Sequence, residues 1–205
     1  MSGFHNQSPL VYLIDDDSAV REGLASLLSS VGLRSQGFDD PRRFLAQQHD
    51  YTIGCLVLDV RMPGLSGLQV LEEVTKHSDL PVIMLTGHAN VDMCRRSFKT
   101  GAAEFLEKPV DDDVFLDAVQ TAVQQHITSR KKLAATREAS QLLSLLSARE
   151  EEVLRYVVEG ISNKQIARQL GLSPRTVETY RSNVFTKLEA DSLAQLIRQY
   201  AALLD

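Results

Sequence analysis

Two short apolar runs in this chain end in carboxylates. Ile53-Gly-Cys-Leu-Val-Leu58 closes on Asp59, and Leu10-Val-Tyr-Leu-Ile14 closes on Asp15-Asp16-Asp17. Short, continuous apolar runs of this kind are how strands buried on both faces read. In an open α/β sheet the carboxyl ends of the strands form the mouth where ligands bind. Asp15, Asp16 and Asp59 are thereby brought to one place. Like charges about 4 Å apart repel by roughly 4 kcal/mol at an effective dielectric near 20, so such a group needs a cation, or protons held at raised pKa. Mg²⁺ suits it, since it is held through one or two carboxylates plus waters and phosphate oxygens. Asp17 reads better as the cap of the helix that follows. A carboxylate nucleophile can form an acyl phosphate, and such a transfer asks mainly for positioning and charge neutralisation.

The elements that must position these groups alternate. Apolar runs at 10–14, 53–58 and 81–85, with weaker ones near 33–38 and 102–106, supply five strands. Between them Val20, Leu24, Leu27, Leu28 and Val31 form a helical stripe, Leu68, Leu71 and Val74 a second, and Val114, Ala118 and Val119 begin a last one. This pattern predicts an α/β unit with a doubly wound, five-stranded parallel sheet. A long helical stretch from about 111 to 140 then loses apolar content, and Ser129-Arg-Lys-Lys132 is polar all round, as in a linker. At Ser147 a capping box, Ser147-Ala-Arg-Glu150, opens a helix with Val153, Leu154, Val157 and Val158 on one face. Gly160 ends it, Ser162 or Asn163 caps a second helix through Ile166, Ala167 and Leu170, and Gly171 permits a left-handed turn. Ser173-Pro174 starts a third helix with Val177, Tyr180, Val184 and Leu188 inward, and a fourth runs from about 190 to 203. The C-terminal unit is thus a small all-α domain.

Length and charge agree with two domains. Residues 1–125 hold 10 Lys and Arg against 18 Asp and Glu, a net charge of −8, residues 126–139 hold 4 against 1, and residues 140–205 hold 8 of each. The acidic part cannot be a nucleic-acid surface, which needs clustered cations. Residues 1–9 carry no basic or apolar leader, and no apolar run approaches the ~18 residues of a membrane span. Cys55 and Cys94 lack metal or CxxC spacing and read as reduced structural thiols. A cytoplasmic protein without membrane contact is expected.

Residues 10–130 resemble the receiver domain of two-component response regulators, a flavodoxin-like fold. Asp15 and Asp16 match its acidic pair, Asp59 within Asp-Val-Arg-Met-Pro-Gly its phosphoacceptor, Thr86 its strand-end hydroxyl, and Lys108-Pro109 its Lys-Pro. The resemblance implies phosphorylation of Asp59 by a sensor histidine kinase. It also implies Mg²⁺ held by Asp16, Asp59 and the carbonyl of Arg61, with Asp15 ordering the water shell. Lys108, a compact point charge, would pair first with Asp59 and then with phosphoryl oxygens. Thr86 would donate to a phosphoryl oxygen, and Phe105 stands where the family has an aromatic that turns with that hydroxyl. Arg61 and His88 would line the entrance. His88 has no second His or Cys at ligand spacing, so a metal role is not assigned to it.

Residues 142–203 resemble the LuxR-type helix-turn-helix of the NarL/FixJ class, carried by Leu146-Ser-Ala-Arg-Glu, Gly160-Ile-Ser-Asn-Lys-Gln-Ile-Ala167 and Leu172-Ser-Pro-Arg-Thr-Val177. By analogy Glu178, Thr179 and Ser182 read base edges, Lys164, Thr176, Arg181 and Lys187 meet the backbone of DNA, and Arg175 is a further outward, DNA-facing position. The expected organisation is a receiver domain at 1–125, a helical linker at 126–141 and a DNA-binding domain at 142–205. The protein is then a transcription regulator rather than an enzyme, the receiver catalysing only its own Mg²⁺-dependent phosphorylation and dephosphorylation. Its partners are a histidine kinase, promoter or operator DNA and a second copy on phosphorylation, with RNA polymerase admitted as a further partner. A Mg²⁺-dependent phosphatase using Asp59 is the rival. Haloacid-dehalogenase-type enzymes place a second Asp two residues after the nucleophile, where this chain has Arg61.

Overall fold

The computed structural model describes residues 8–47 and 52–204; residues 1–7 of the N-terminal stretch read above lie outside them. The chain divides into two compact units, one ending at Arg130 and the other starting at Lys131. In the first, β1 (Leu10–Ile14), β2 (Arg34–Phe38), β3 (Gly54–Asp59), β4 (Val82–Thr86) and β5 (Glu104–Glu107) form one sheet in the order β2-β1-β3-β4-β5. Every pairing is parallel. The helices between and after them are α1 (Ser18–Ser30), α2 (Pro41–Leu45), α3 (Gly67–His77), α4 (Val91–Thr100) and α5 (Asp112–Leu143).

Successive strand residues point to opposite faces, and both faces are covered. Tyr12, Ile14, Leu56, Leu58 and Met84 pack with Val70, Leu71 and Val74 of α3. Val11, Leu13, Cys55, Val57, Ile83 and Leu85 pack with Leu28 of α1 and with Phe115 and Val119 of α5. This is the doubly wound arrangement, and it explains why β3 and β4 are buried at every position. Asp17 caps α1, accepting from the Ala19 N–H at 2.8 Å. The polar segment at 129–132 does not interrupt α5, which is 32 residues long. His126 of α5 is fully buried, with Nδ1 3.0 Å from the Gly54 carbonyl, and its Nε2 accepts from Arg130 Nε at 3.2 Å. Burial pushes the imidazole below its ordinary pKa, so a neutral ring ties α5 to the start of β3.

In the second unit α6 (Ala148–Val158), α7 (Asn163–Leu170), α8 (Pro174–Lys187) and α9 (Leu193–Tyr200) surround one core, and a 3₁₀ turn at Ala201–Leu203 follows. Val177, Val184 and Leu188 are buried there and Tyr180 is half-buried, so the inward stripe of α8 is the one its spacing predicts. Gly171, at φ 67, makes the left-handed turn between α7 and α8, and Ser173 caps α8 through the Thr176 N–H at 3.1 Å. Among the described residues no helix is long and apolar enough to cross a membrane.

Candidate functional site

The tips of β1, β3, β4 and β5 meet at one mouth. Register places Asp59 opposite Leu85 and Thr86 opposite Glu107, which sets Lys108 just beyond the end of β5. Its Nζ lies 2.6 Å from Asp15 Oδ2 and 2.6 Å from Asp59 Oδ1. The second oxygen of each carboxylate is held by backbone: Asp59 Oδ2 accepts from the Arg61 N–H at 2.6 Å, and Asp15 Oδ1 from the Asp17 N–H at 3.0 Å. Both carboxylates are buried. Burial lifts the Asp59 carboxyl above its ordinary value; the Lys108 hydrogen bond and charge oppose the lift, and the Asp15 charge adds to it. Burial works to lower Lys108, but bonding to two carboxylates overrides it and leaves the ammonium above its usual pKa.

Asp16 is exposed beside this pair. Among the described residues no three His, Cys, Asp or Glu side chains converge as a cluster that could hold a metal; Lys108 stands between the two buried carboxylates. The donor chemistry nonetheless fits a hard divalent cation, because Asp15, Asp16 and Asp59 against one ammonium leave the mouth net negative and supply only oxygen ligands. Thr86 is fully buried, and its hydroxyl accepts from the His88 N–H at 3.3 Å and donates to the His88 carbonyl at 3.4 Å. Phe105 is half-buried against the core, and Arg61 and His88 are exposed at the rim.

On α8 the positions expected to face DNA are outward. Glu178, Thr179 and Ser182 are exposed and, with Arg175, line one shallow concavity. Thr179 Oγ1 donates to the Arg175 carbonyl at 3.1 Å, which leaves its lone pairs free to accept from a base. Lys164 and Arg175 are exposed. Thr176 is half-buried with its hydroxyl 2.8 Å from Ser173 Oγ. Arg181 donates to Asn163 Oδ1 at 3.2 Å and lies 5.7 Å over the Phe185 ring. Lys187 differs from the other cations. Its ammonium is bonded within the unit, 2.7 Å from Glu150 Oε2 and 3.2 Å from the Leu145 carbonyl, while its side chain stays 39% exposed.

Comparison with known proteins matches both units. Residues 11–120 match the response regulator receiver domain, and residues 144–200 match the bacterial regulatory proteins of the luxR family. The chain belongs to the response regulator family. This response regulator is 41% identical to the transcriptional regulatory protein FixJ of Bradyrhizobium diazoefficiens, over 92% of each chain. It is 44% identical to FixJ of Azorhizobium caulinodans, over 92% of this chain and 90% of that one. Among solved structures, the response regulator StyR superposes with a TM-score of 0.83 at 40% identity, covering 96% of this chain and all of the other. Full-length FixJ from B. japonicum gives 0.59 at 39%, covering 98% of this chain and all of the other. A two-component regulator of transcription, built of a receiver and a LuxR-type DNA-binding domain, is what these matches identify.

Three residues of this response regulator that act on the mouth were not singled out in the sequence. The Arg21 guanidinium donates to the Asp15 carbonyl at 2.6 Å. The Glu107 carboxylate accepts from the Ala89 N–H at 3.0 Å, holding the loop after Thr86. Gly67 opens α3 directly against the end of β3. Only Gly67 carries a sequence signal, a glycine just after Ser66 at a helix start; the others act across chain separations that no local pattern encodes.

Proposed function

We propose that Asp59 is the phosphoacceptor of this regulator, that Mg²⁺ assists the transfer, and that the phosphorylated receiver controls dimerisation and sequence-specific DNA binding. An Asp59 oxygen attacks phosphorus. The P–N bond of a kinase phosphohistidine breaks, and its electron pair leaves with the imidazole, which takes up a proton. With acetyl phosphate the P–O bond breaks and acetate departs. Water later attacks the same phosphorus, returning the carboxylate and releasing inorganic phosphate. Lys108 is the residue that works at both stages: it screens Asp15 from Asp59 at rest and meets the phosphoryl oxygens afterwards. Bound Mg²⁺, held by Asp16, Asp59 and the Arg61 carbonyl with Asp15 ordering its water, would neutralise the remaining phosphoryl charge.

Switching then has a physical basis in Thr86. Its hydroxyl is spent on the His88 backbone, and a phosphoryl group on Asp59 competes for it. Turning Thr86 releases the loop before α4 and lets Phe105 pack inward. On α4, Val91 and Phe98 are exposed apolar side chains, 72% and 46% accessible, and a surface near α4 and β5 is the one proposed to pair two phosphorylated copies. The domain division that goes with this reading is 1–125, a helical linker at 126–141, and 142–205. In the output domain Glu178, Thr179 and Ser182 read bases, while Lys164, Arg175, Thr176 and Arg181 meet backbone. A cytoplasmic location and a sensor kinase partner accompany it, with RNA polymerase as a further partner at the promoter.

The observation that carries the reading is one ammonium bridging two buried carboxylates at the strand tips. The test is intact-mass measurement after incubation with acetyl phosphate and Mg²⁺. One added phosphoryl group is expected on the wild type and none on Asp59→Asn; modification of the Asn variant would refute the assignment.

A further inference from the structure

Glu150 is an unusual residue for a small helical domain, a carboxylate only 4% exposed in the first turn of α6. Buried charges persist when paired and hydrogen-bonded. Its Oε2 accepts from the Ser147 N–H at 2.8 Å, from Ser147 Oγ at 2.9 Å and from Lys187 Nζ at 2.7 Å. Lys187 is the last residue of α8, and its ammonium also donates to the Leu145 carbonyl, in the turn between α5 and α6. One cation therefore joins three pieces of chain: the C-terminal end of the DNA-reading helix, the first turn of α6 and the segment leading into α6. The partners hold the Glu150 carboxyl down to about 2, the Lys187 bond contributing most.

The core fixes which face of α8 points inward through Val177, Val184 and Leu188, but an apolar stripe alone resists small tilts weakly, because van der Waals contacts are individually small. A directed charge-assisted bond at the helix end supplies that restraint. Lever length makes it matter. Thr179 lies eight residues before Lys187, about 12 Å along a helix rising 1.5 Å per residue. A tilt of about 5° at the clasp would move Thr179 by on the order of 1 Å along that lever, enough to spoil a base-edge hydrogen bond whose useful range spans only ~0.5 Å.

We infer that Glu150 is a positioning residue for DNA reading, acting through Lys187 to hold the pitch of α8 rather than by touching DNA. The inference rests on α8 being the helix that enters the groove, so Thr179→Ala, which tests that face directly, is measured alongside. Full-length protein is titrated by fluorescence anisotropy against two labelled duplexes, one selected by the protein from a randomised pool and one of random sequence. Titrations run at several salt concentrations and at a temperature where circular dichroism shows each variant folded. Glu150→Gln and Lys187→Met should each lower the selected-to-random affinity ratio roughly tenfold, as expected for loss of a charge-assisted bond. The salt slope should stay unchanged, the double variant should be no worse than the poorer single one, and Lys187→Arg should regain most of the ratio. Lys187→Met leaves Glu150 bonded to Ser147 and serves if Glu150→Gln fails to fold. The inference is overturned if both variants keep the wild-type ratio. It is equally overturned if Lys187→Met lowers the salt slope by about one unit while Glu150→Gln binds as wild type, since that is the behaviour of a phosphate contact.

Discussion

A Cβ atom on Gly67 would lie 2.2 Å from the carbonyl oxygen of Asp59. Helix α3 therefore starts in contact with the backbone of Asp59, and the Gly67 N–H donates to the Val60 carbonyl at 3.0 Å to close the join. No side chain fits there without moving β3 or α3. Gly67→Ala should destabilise the receiver by roughly 1–3 kcal/mol, the usual cost of forcing extra volume into a packed site. It should also slow phosphorylation, because Asp59 shifts against Lys108. Thermal melting together with the rate of phosphoryl uptake from acetyl phosphate checks both; wild-type values in each would show that the contact is not tight.

Exposed apolar residues on α4 should matter only after phosphorylation. Phe98→Asp should leave the unphosphorylated protein as it is and prevent the phosphorylated protein from pairing, since a carboxylate in an apolar contact is costly to desolvate. Sedimentation velocity with and without acetyl phosphate reads this out. A variant that still dimerises on phosphorylation would move the pairing surface elsewhere.

Specificity and affinity should separate on the output domain. Thr179→Ala and Ser182→Ala should reduce discrimination between a selected duplex and a random one by ~1–3 kcal/mol for a good base contact. Lys164→Ala should weaken both duplexes and lower the salt slope by about one unit. Titrations across salt concentration give the test, and an unchanged ratio in both outward variants would place the reading face on another side of α8.

The Glu150 carboxyl gives a pH signature. Its folded-state pKa is depressed from 4.5 to about 2. Such an acid contributes stability that is fully present above the unfolded value and is lost as pH falls from there through the folded value. Amide protection in α6 and α8, measured relative to the intrinsic exchange rate at each pH, should therefore fall between pH 4.5 and about 2 in wild type. Glu150→Gln should lose this acid-dependent portion. Equal pH profiles for the two proteins would remove Lys187 as its partner.

Much of this was legible in the chain itself. Asp15 and Asp59 end apolar runs, so strand periodicity alone placed them at one mouth, and Ser147, Gly171 and Ser173-Pro174 marked helix boundaries by local chemistry. The bond between Lys187 and Glu150 was not legible, because the two lie 37 residues apart in the chain. The helical stretch expected from about 111 to 140 runs on to Leu143 as α5, and the polar segment at 129–132 marks exposure, not the end of a helix. Helix α2, five residues long, is too short to show a periodic stripe. The engagement of Thr86 with His88, and the exposed position of Asp16, follow from rotamers that sequence does not specify.

The central claim is that a phosphoryl group on Asp59 controls DNA binding, and one titration tests it most directly. Wild type and Asp59→Asn are each titrated against the selected duplex, with and without acetyl phosphate and Mg²⁺. Moving a two-state regulator from mostly inactive to mostly active needs up to about 5.5 kcal/mol of differential stabilisation, so a large, donor-dependent rise in affinity is predicted for wild type and none for Asp59→Asn. Equal affinity of wild type in both conditions, or a donor-dependent rise that persists in Asp59→Asn, would contradict the account.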